Sequence, residues 1–363
     1  MSRFAPVLGA IAAGSYLSVQ LASPEDARRL GLPQGASIQL SLSPSDVTSV
    51  EEIDTFMPGY TQFGAFRSDE VAPIMLVDKN TDRYRIFSLN NAFRRLHVET
   101  SYQARIGEVD PETQLDTYLT LPRGLGSFIP ADTAAMQNYD VRQAAGRRIK
   151  DVLDIDREVR LWTLLTTLNN WGTAQRTTLT AGFQWNGGAS SNPILDLQAR
   201  IRASAQRVTG TYFGLEAAYA FLGHDKVRDH MRQMLGDAAP NLGILSGAGI
   251  SPDPIDFIIP GFPPFHVVHS KVLNDSTGNL DEIIGKHAVL VSNPPGADPQ
   301  DGQAIMTVKT FRVRGPSGTG FTSREFDVND RGLNGGRMLV SGHDEEIRFV
   351  SNIVGGLIRD VVQ

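Results

Sequence analysis

The stretch Gly315-Pro-Ser-Gly-Thr-Gly-Phe-Thr322 comes nearest to a catalytic signature. It matches a phosphate-binding loop at both glycines and at the final threonine. Such a loop wraps phosphates in backbone N–H groups and needs a lysine just before that threonine to reach the β- and γ-phosphates. Phe321 occupies that position. The following Ser323–Val328 reads as strand, whereas a phosphate loop opens a helix, so a glycine-rich hairpin turn is expected. His266 and His269 lie three apart in the strand-like Phe265–His269 segment, where they point to opposite faces and cannot share a metal. His224, Asp225, Asp229 and His230 bracket a helix start, where Asp225 serves as a cap or dipole partner. The carboxylate pairs Asp154/Asp156, Asp281/Glu282 and Glu345/Glu346 are expected on solvated faces or in contacts between subunits. No Gly-x-Ser-x-Gly elbow occurs. The expectation is a chain without catalytic, metal or cofactor sites.

Composition narrows the classes further. The 363 residues are 41% hydrophobic and 20% charged, with a formal net charge of −6. These values fit a globular chain with a sizeable core. No basic stripe is present to neutralise phosphates, which disfavours direct reading of DNA. The absence of cysteine excludes disulfides, thiol catalysis and cysteine-ligated zinc. Lysines occur only at Lys79, Lys150, Lys226, Lys271, Lys286 and Lys309, so basic charge is carried mostly by arginine. Residues 1–20 imitate a secretory signal, but the apolar run is short and holds Pro6, so an uncleaved arm is expected. No apolar run approaches the roughly 20 residues that span a bilayer.

The elements must position something other than a catalytic centre. Residues 1–59 are rich in Ser, Pro and Gly, with a short helix predicted around Pro24–Leu30, and read as an extended arm that lies on another surface. Pro73–Val77 and Arg83–Leu89 flank a polar turn and predict a hairpin. Residues 91–130 read as a two-stranded ribbon carrying Arg94, Arg95, Arg105 and Arg123 against Glu99, Glu108, Asp110, Glu112 and Asp116. A ribbon of mixed charge cannot bury both faces alone, so these nine residues are candidate intersubunit contacts. The strongest periodicity, 139–169, predicts one long helix with apolar positions at Val141, Ala145, Ile149, Val152, Ile155, Val159 and Leu165. Further helices are predicted over Ile194–Thr209, from Gly214 through Ala220, and over Lys226–Leu235. Short strands follow at Phe257–Ile259, Phe265–His269, Ala288–Ser292, Ala304–Val313 and Arg324–Val328. The C-terminal stretch 345–362 is apolar, split by Gly355 and Gly356.

This order of elements resembles the HK97-like fold of tailed-bacteriophage major capsid proteins. The resemblance is carried by Ala131-Asp-Thr-Ala-Ala, Val152-Leu-Asp-Ile-Asp-Arg-Glu-Val159, Asn192-Pro-Ile-Leu-Asp-Leu-Gln198 after Trp185, Arg207-Val-Thr-Gly-Thr-Tyr-Phe213 and Gly285-Lys-His-Ala-Val-Leu-Val291. It implies an α+β fold with an N-arm (1–59), an E-loop ribbon (91–130) and a spine helix (139–169). Peripheral segments would be 60–90, 131–219 and 323–363, and the axial domain 220–322. It also implies function: self-assembly of hexamers and pentamers into an icosahedral shell around double-stranded DNA, a place in the virion after assembly in the host cytoplasm, and no membrane. Implied partners are further copies, a portal, a separate scaffolding protein and a decoration protein.

Two departures are visible. Some family members weld subunits through a ribbon lysine, yet no lysine lies between Lys79 and Lys150, so a non-covalent shell is expected. Some begin with a long helical scaffolding segment, which the aperiodic residues before Tyr60 do not resemble. The alternatives left open are an encapsulin-type nanocompartment shell, a nucleotide-dependent enzyme built on Gly315–Thr322, and a tail or baseplate protein.

Overall fold

A computed structural model describes residues 17–19, 38–40, 48–49, 66–87, 114–132, 140–187, 190–235, 256–294, 298, 300–301, 304–331 and 334–363. Its longest helix, Val141–Thr166, begins where Asp140 accepts hydrogen bonds from the Arg142 and Gln143 N–H groups (2.9 and 3.2 Å), a side-chain N-cap. Its 26 residues run about 39 Å at ~1.5 Å per residue. At the far end the orphan carbonyls are met by side chains. Asn170 donates to Leu164 O (2.8 Å), Trp171 to Leu165 O (2.7 Å) and Arg176 to Leu168 O (2.7 Å).

Among the described residues the chain forms five α-helices and seventeen strands. The helices are α1 (Ser68–Val71), α2 (Val141–Thr166), α3 (Pro193–Ala203), α4 (Leu215–Gly223) and α5 (Asp225–Leu235). The first strands are β1 (Leu17–Val19), β2 (Ile38–Leu40), β3 (Thr48–Ser49), β4 (Ile74–Val77), β5 (Thr81–Ile86), β6 (Gln114–Leu119), β7 (Leu121–Pro130), β8 (Arg176–Thr178) and β9 (Gly210–Gly214). The rest are β10 (Phe265–Val268), β11 (Lys271–Asn274), β12 (Asn279–Glu282), β13 (Ala288–Val291), β14 (Val308–Val313), β15 (Thr322–Val328), β16 (Gly336–Phe349) and β17 (Gly356–Arg359).

Two sheets organise the body. One has the order β3-β15-β16-β14-β4, with β7 along the other edge of β16; the second has the order β10-β9-β13-β17-β8. Each takes strands from both sides of residue 220, and β14 and β15 of the first lie on either side of residue 321. Helix α2 bridges them. Its first half packs Ala145, Ile149 and Leu153 on Ile129 and Leu339 of the first sheet and on Phe321 just before β15. Its second half packs Leu161, Trp162 and Leu165 among Val289, Val291 and Leu357 of the second. Helices α3 to α5 cover the second sheet through Leu197, Phe221, Val227 and Met231.

Several expectations change. The α2 periodicity holds, and its apolar stripe holds in part: Ala145, Ile149 and Leu165 are buried, but Val152 is 46% exposed, while Arg157 (3%) and Glu158 (0%) are buried. The 73–77/83–89 hairpin is absent, because β4 pairs in parallel with β14 and β5 pairs with β6. The turn between them moves the chain from one sheet to another. The helix predicted to Thr209 ends at Ala203, since the N–H groups of Ala205 and Thr209 go to Ile353 and Val291 carbonyls (3.0 and 2.9 Å). Residues 121–130, expected in the ribbon, run for ten residues along β16.

Gly315–Phe321 is a loop, not a hairpin turn. Strands β14 and β15 both run antiparallel to β16, against 345–349 and 336–342 respectively, and so lie end to end on one edge of it. The arm, the Pro24–Leu30 helix and the Ala131–Ala135 segment lie largely outside the described residues, apart from β1 paired with β2, β3 paired with β15, and 131–132. Among the described residues no helix is long and apolar enough to cross a membrane.

One close approach tests this packing. A Cβ on Gly214, between β9 and α4, would sit 1.8 Å from the Gly285 carbonyl oxygen, which is backbone and cannot swing away. Gly214→Ala is expected to destabilise by about 2–4 kcal/mol, read by urea denaturation; an unchanged midpoint would show that the 285 turn yields freely.

Candidate functional site

Two regions combine polar chemistry with a position where elements meet: the stem of the ribbon, and a buried charge cluster beneath α2. The stem is β5 with β6, in register from Thr81↔Leu119 to Ile86↔Gln114. Its inward side chains rest on Phe311 of β14, with Tyr118 stacked at 4.5 Å and Tyr84 tilted at 5.0 Å. The Tyr84 hydroxyl donates toward Asp116 and the Phe349 carbonyl (3.1 Å each), and Tyr118 donates to Lys79 O (3.3 Å). Burial, then the neighbouring Asp116 carboxylate, pushes the Tyr84 phenol well up from its ordinary value. On the stem Leu115 and Leu119 are exposed, as are Leu121 and Leu125 on the adjoining β7.

Of the nine ribbon residues, Asp116 and Arg123 are described, and the structure does not bring them together. Asp116 holds Tyr84. Arg123 lies on β7 and pairs with Asp156 of α2 at 3.3 Å, a contact within the chain. Arg94, Arg95, Glu99, Arg105, Glu108, Asp110 and Glu112 lie outside the described residues.

The charge cluster is built by α2 and β16. Glu345, 1% exposed, faces Arg312 directly across the β14–β16 ladder and accepts from its Nη2 (2.7 Å) and Nε (3.2 Å). Arg160 bonds its other oxygen, His343 Nε2 lies 3.2 Å from that same oxygen, and the Arg157 Nε is 3.9 Å away. Arg157 in turn pairs with Asp69 and donates to Ala72 O (3.0 Å) and Thr310 Oγ1 (3.1 Å). Burial alone would raise the Glu345 carboxyl, but the His343 contact and the Arg312 and Arg157 charges hold it well below its ordinary range. Burial pushes the His343 imidazole down.

Glu158 is different: its partners are neutral donors. It accepts from the N–H groups of Arg67 (3.1 Å) and Ser68 (3.0 Å), the Trp162 indole (2.7 Å) and the Ser270 hydroxyl (3.4 Å). Burial pushes this carboxyl up, and the hydrogen bonds only partly offset it.

Of the expected carboxylate pairs, Glu345 is the member that is not on a solvated face. On a strand, neighbours face opposite ways. Glu345 is therefore interior, while Glu346 turns to Arg348 (2.7 Å) and the Leu119 N–H (2.5 Å). Asp281 and Glu282 divide likewise between Asn274 (2.7 Å) and the Leu215 N–H (3.2 Å). On α2, Asp154 pairs with Lys150 and Asp156 with Arg160 (2.8 Å). Arg157, Glu158, Arg160, Arg312 and His343 were not singled out in the sequence. Their signal was positional: 157 and 158 continue the 149–153–161 face of α2, and 343 and 345 share an inward face of β16 with 347.

The phosphate-loop resemblance ends in packing. Phe321 is 1% exposed, with Arg312 over its ring (4.8 Å) and His343 edge-on (5.2 Å). His266 is stacked on Tyr212 (4.9 Å) and bonds Asp256 (2.9 Å). His224 accepts from the Lys226 N–H (3.1 Å), at the start of α5. Among the described residues no group of three His, Asp or Glu side chains is arranged to hold a metal ion.

Comparison with known proteins follows from this geometry. No family model matches the chain. In sequence it is 26% identical over 176 residues to the major capsid protein of Pseudomonas phage JBD67, a match covering 48% of this chain and 57% of that relative. In structure it resembles a phage-related protein from Bordetella bronchiseptica RB50, with a TM-score of 0.65 and 16% identity over 86% of this chain and 98% of the other. It also resembles a prophage protein of Escherichia coli CFT073 assigned as its capsid protein, with a TM-score of 0.52 and 10% identity over 86% and 99%. The long bridging helix, the ribbon stem laid on a β-sheet and these likenesses together give the chain the HK97-like fold of tailed-phage capsid proteins.

Proposed function

We propose that the chain is a phage major capsid protein, assembling as hexamers and pentamers into an icosahedral shell around double-stranded DNA. The observation that carries this is the sequence match to a phage major capsid protein, set on a capsid fold. The architecture supports it. The two-stranded stem of β5 and β6 shows exposed Leu115 and Leu119, and a two-stranded ribbon gains stability when a further surface covers it. Identical subunits joined by unlike surfaces close into rings and then shells. In this reading the sheet containing β16 with α2 is the peripheral region and the sheet containing β13 with α3 to α5 the axial region, which redraws the expected 220–322 boundary because each sheet takes strands from both sides of residue 220. Further partners would be a portal, a separate scaffolding protein and a decoration protein. The protein would act by contact and not by catalysis, in the virion after assembly in the host cytoplasm. Electron microscopy of the full-length expressed protein tests the proposal: closed icosahedral particles are expected, and a uniform monomer at high concentration would sink it.

The shell should hold without covalent links at the ribbon, because no lysine lies between Lys79 and Lys150. Boiled particles are expected to run as a single monomer band on a denaturing gel. A ladder that survives reduction and heat would contradict this.

A further inference from the structure

Strands β11 and β12 form a hairpin whose Leu273/Leu280 side nothing among the described residues of its own chain covers. Leu273 and Leu280 stand directly opposite each other in its register and are 55% and 66% exposed. A two-stranded hairpin is marginal by itself, and an exposed cross-strand leucine pair adds an apolar knob to its surface. The hairpin is also acidic, with Asp275, Asp281 and Glu282 against Lys271.

The same region carries a surface of the opposite kind. A cleft of about 690 Å³ is lined by Ile201, Val208, Phe262, Pro263 and Pro264, with Arg207 on it and no carboxylate. Arg207 is exposed. The cleft is mainly apolar with one exposed arginine, and the hairpin offers an apolar leucine pair flanked by carboxylates.

Topology keeps the two apart within one chain. Strands β9 and β10 run parallel, and the cleft is made by the residues just before each of them and by Asn293 after antiparallel β13. The hairpin leaves the C-terminal end of β10 and returns just before β13, with Glu282 fastened to the Leu215 N–H beyond β9. Knob and cleft therefore sit at opposite ends of one short sheet, whose four- to five-residue strands hold them in fixed relation. Unlike complementary surfaces on opposite ends of a rigid unit define a head-to-tail contact, which closes to a ring when the rotation permits.

We infer that the Lys271–Glu282 hairpin of one copy docks its Leu273/Leu280 knob into the Val208–Phe262–Pro264 cleft of a second copy of this chain. The inference rests on the reading of the protein as a shell subunit and names a contact within its rings. Leucines supply the desolvated centre of the contact, and Arg207 against the hairpin carboxylates sets its register.

The chain has no cysteine, so an engineered pair reports cleanly. Full-length Leu280→Cys/Pro264→Cys, oxidised after assembly, is expected to give a ladder of disulfide-linked multimers on a non-reducing denaturing gel, absent from either single variant. Particles that form without this link, or with it only inside single chains, would overturn the inference and leave the proposed function standing. A ladder from protein that makes no closed particles would uphold the contact and sink the shell. As a second readout, Leu273→Asp/Leu280→Asp alters only exposed positions. It should keep the monomer's circular dichroism while lowering the assembled fraction about tenfold or more; undiminished assembly would also overturn the contact.

Discussion

Glu345→Ala is expected to lower the stability of the chain by about 3–5 kcal/mol, the scale for removing one partner of a buried ion cluster. The side chain is the shared acceptor for Arg312 and Arg160, with Arg157 and His343 beside it. Removing it leaves guanidiniums facing one another where water does not reach. Ile347, two residues along on the same face of β16, would then border an uncompensated charge. Urea unfolding of a dispersed form checks this, and a loss below about 1 kcal/mol would place the cluster with exposed pairs. Because α2, β14 and β16 all meet at Glu345, the variant should also lose closed particles.

The same cluster sets a response to acid. Glu345 is held below its ordinary 4.5, so its contribution is present above that value and is lost as pH falls through the lowered folded value. His343 is pushed below 6.5, so its neutral form favours the fold, and that contribution is lost as pH falls from 6.5. Glu158 runs the other way. Its raised carboxyl favours the protonated form, so its contribution is largest below 4.5 and declines as pH rises toward its folded value. Stability should therefore fall on mild acidification, and His343→Phe should flatten the part of the slope that begins near 6.5. An unchanged slope in that variant would remove His343 from the account.

Phe321→Lys completes the phosphate-loop pattern on paper and is expected to unfold the protein. The ring it replaces is 1% exposed and packs with Ile149, Leu153 and Leu339. A lysine there would place an ammonium beside Arg312 and near Lys150, with no new anion. Burying an unpaired charge costs several kcal/mol, added to the cavity left by the ring. Insoluble or protease-sensitive protein is the expected result, with no nucleotide retained. A soluble variant that binds ATP would revive the enzyme alternative.

Local chemistry was legible without coordinates. The existence of the long helix α2 follows from its period, a short-range property, and its ends at Val141 and Thr166 fall within two or three residues of the expected 139–169. The failure of Gly315–Thr322 as a phosphate site is equally local, since one missing ammonium decides it. Strands β10, β13 and β15 lie within a residue or two of their expected limits. The order of elements also sufficed for the resemblance to the HK97-like fold.

Pairing and burial of charge were decided only by the tertiary structure. Nothing local says that β4 joins β14 and not β5, because a turn fixes where the chain bends and not which edge is vacant. Residues 204–209 look helical until Ile353 and Val291 offer their carbonyls. Arg157, Glu158 and Glu345 read as surface residues because charge is normally solvated. They are interior because partners from α1, β14 and β16, distant in sequence, converge on them. The sequence by itself determined most of the segments that curl or extend, but not 204–209 or the turns after β4 and β14. Only the tertiary structure decided which charges lie inside, since that depends on energies shared by residues far apart in the chain.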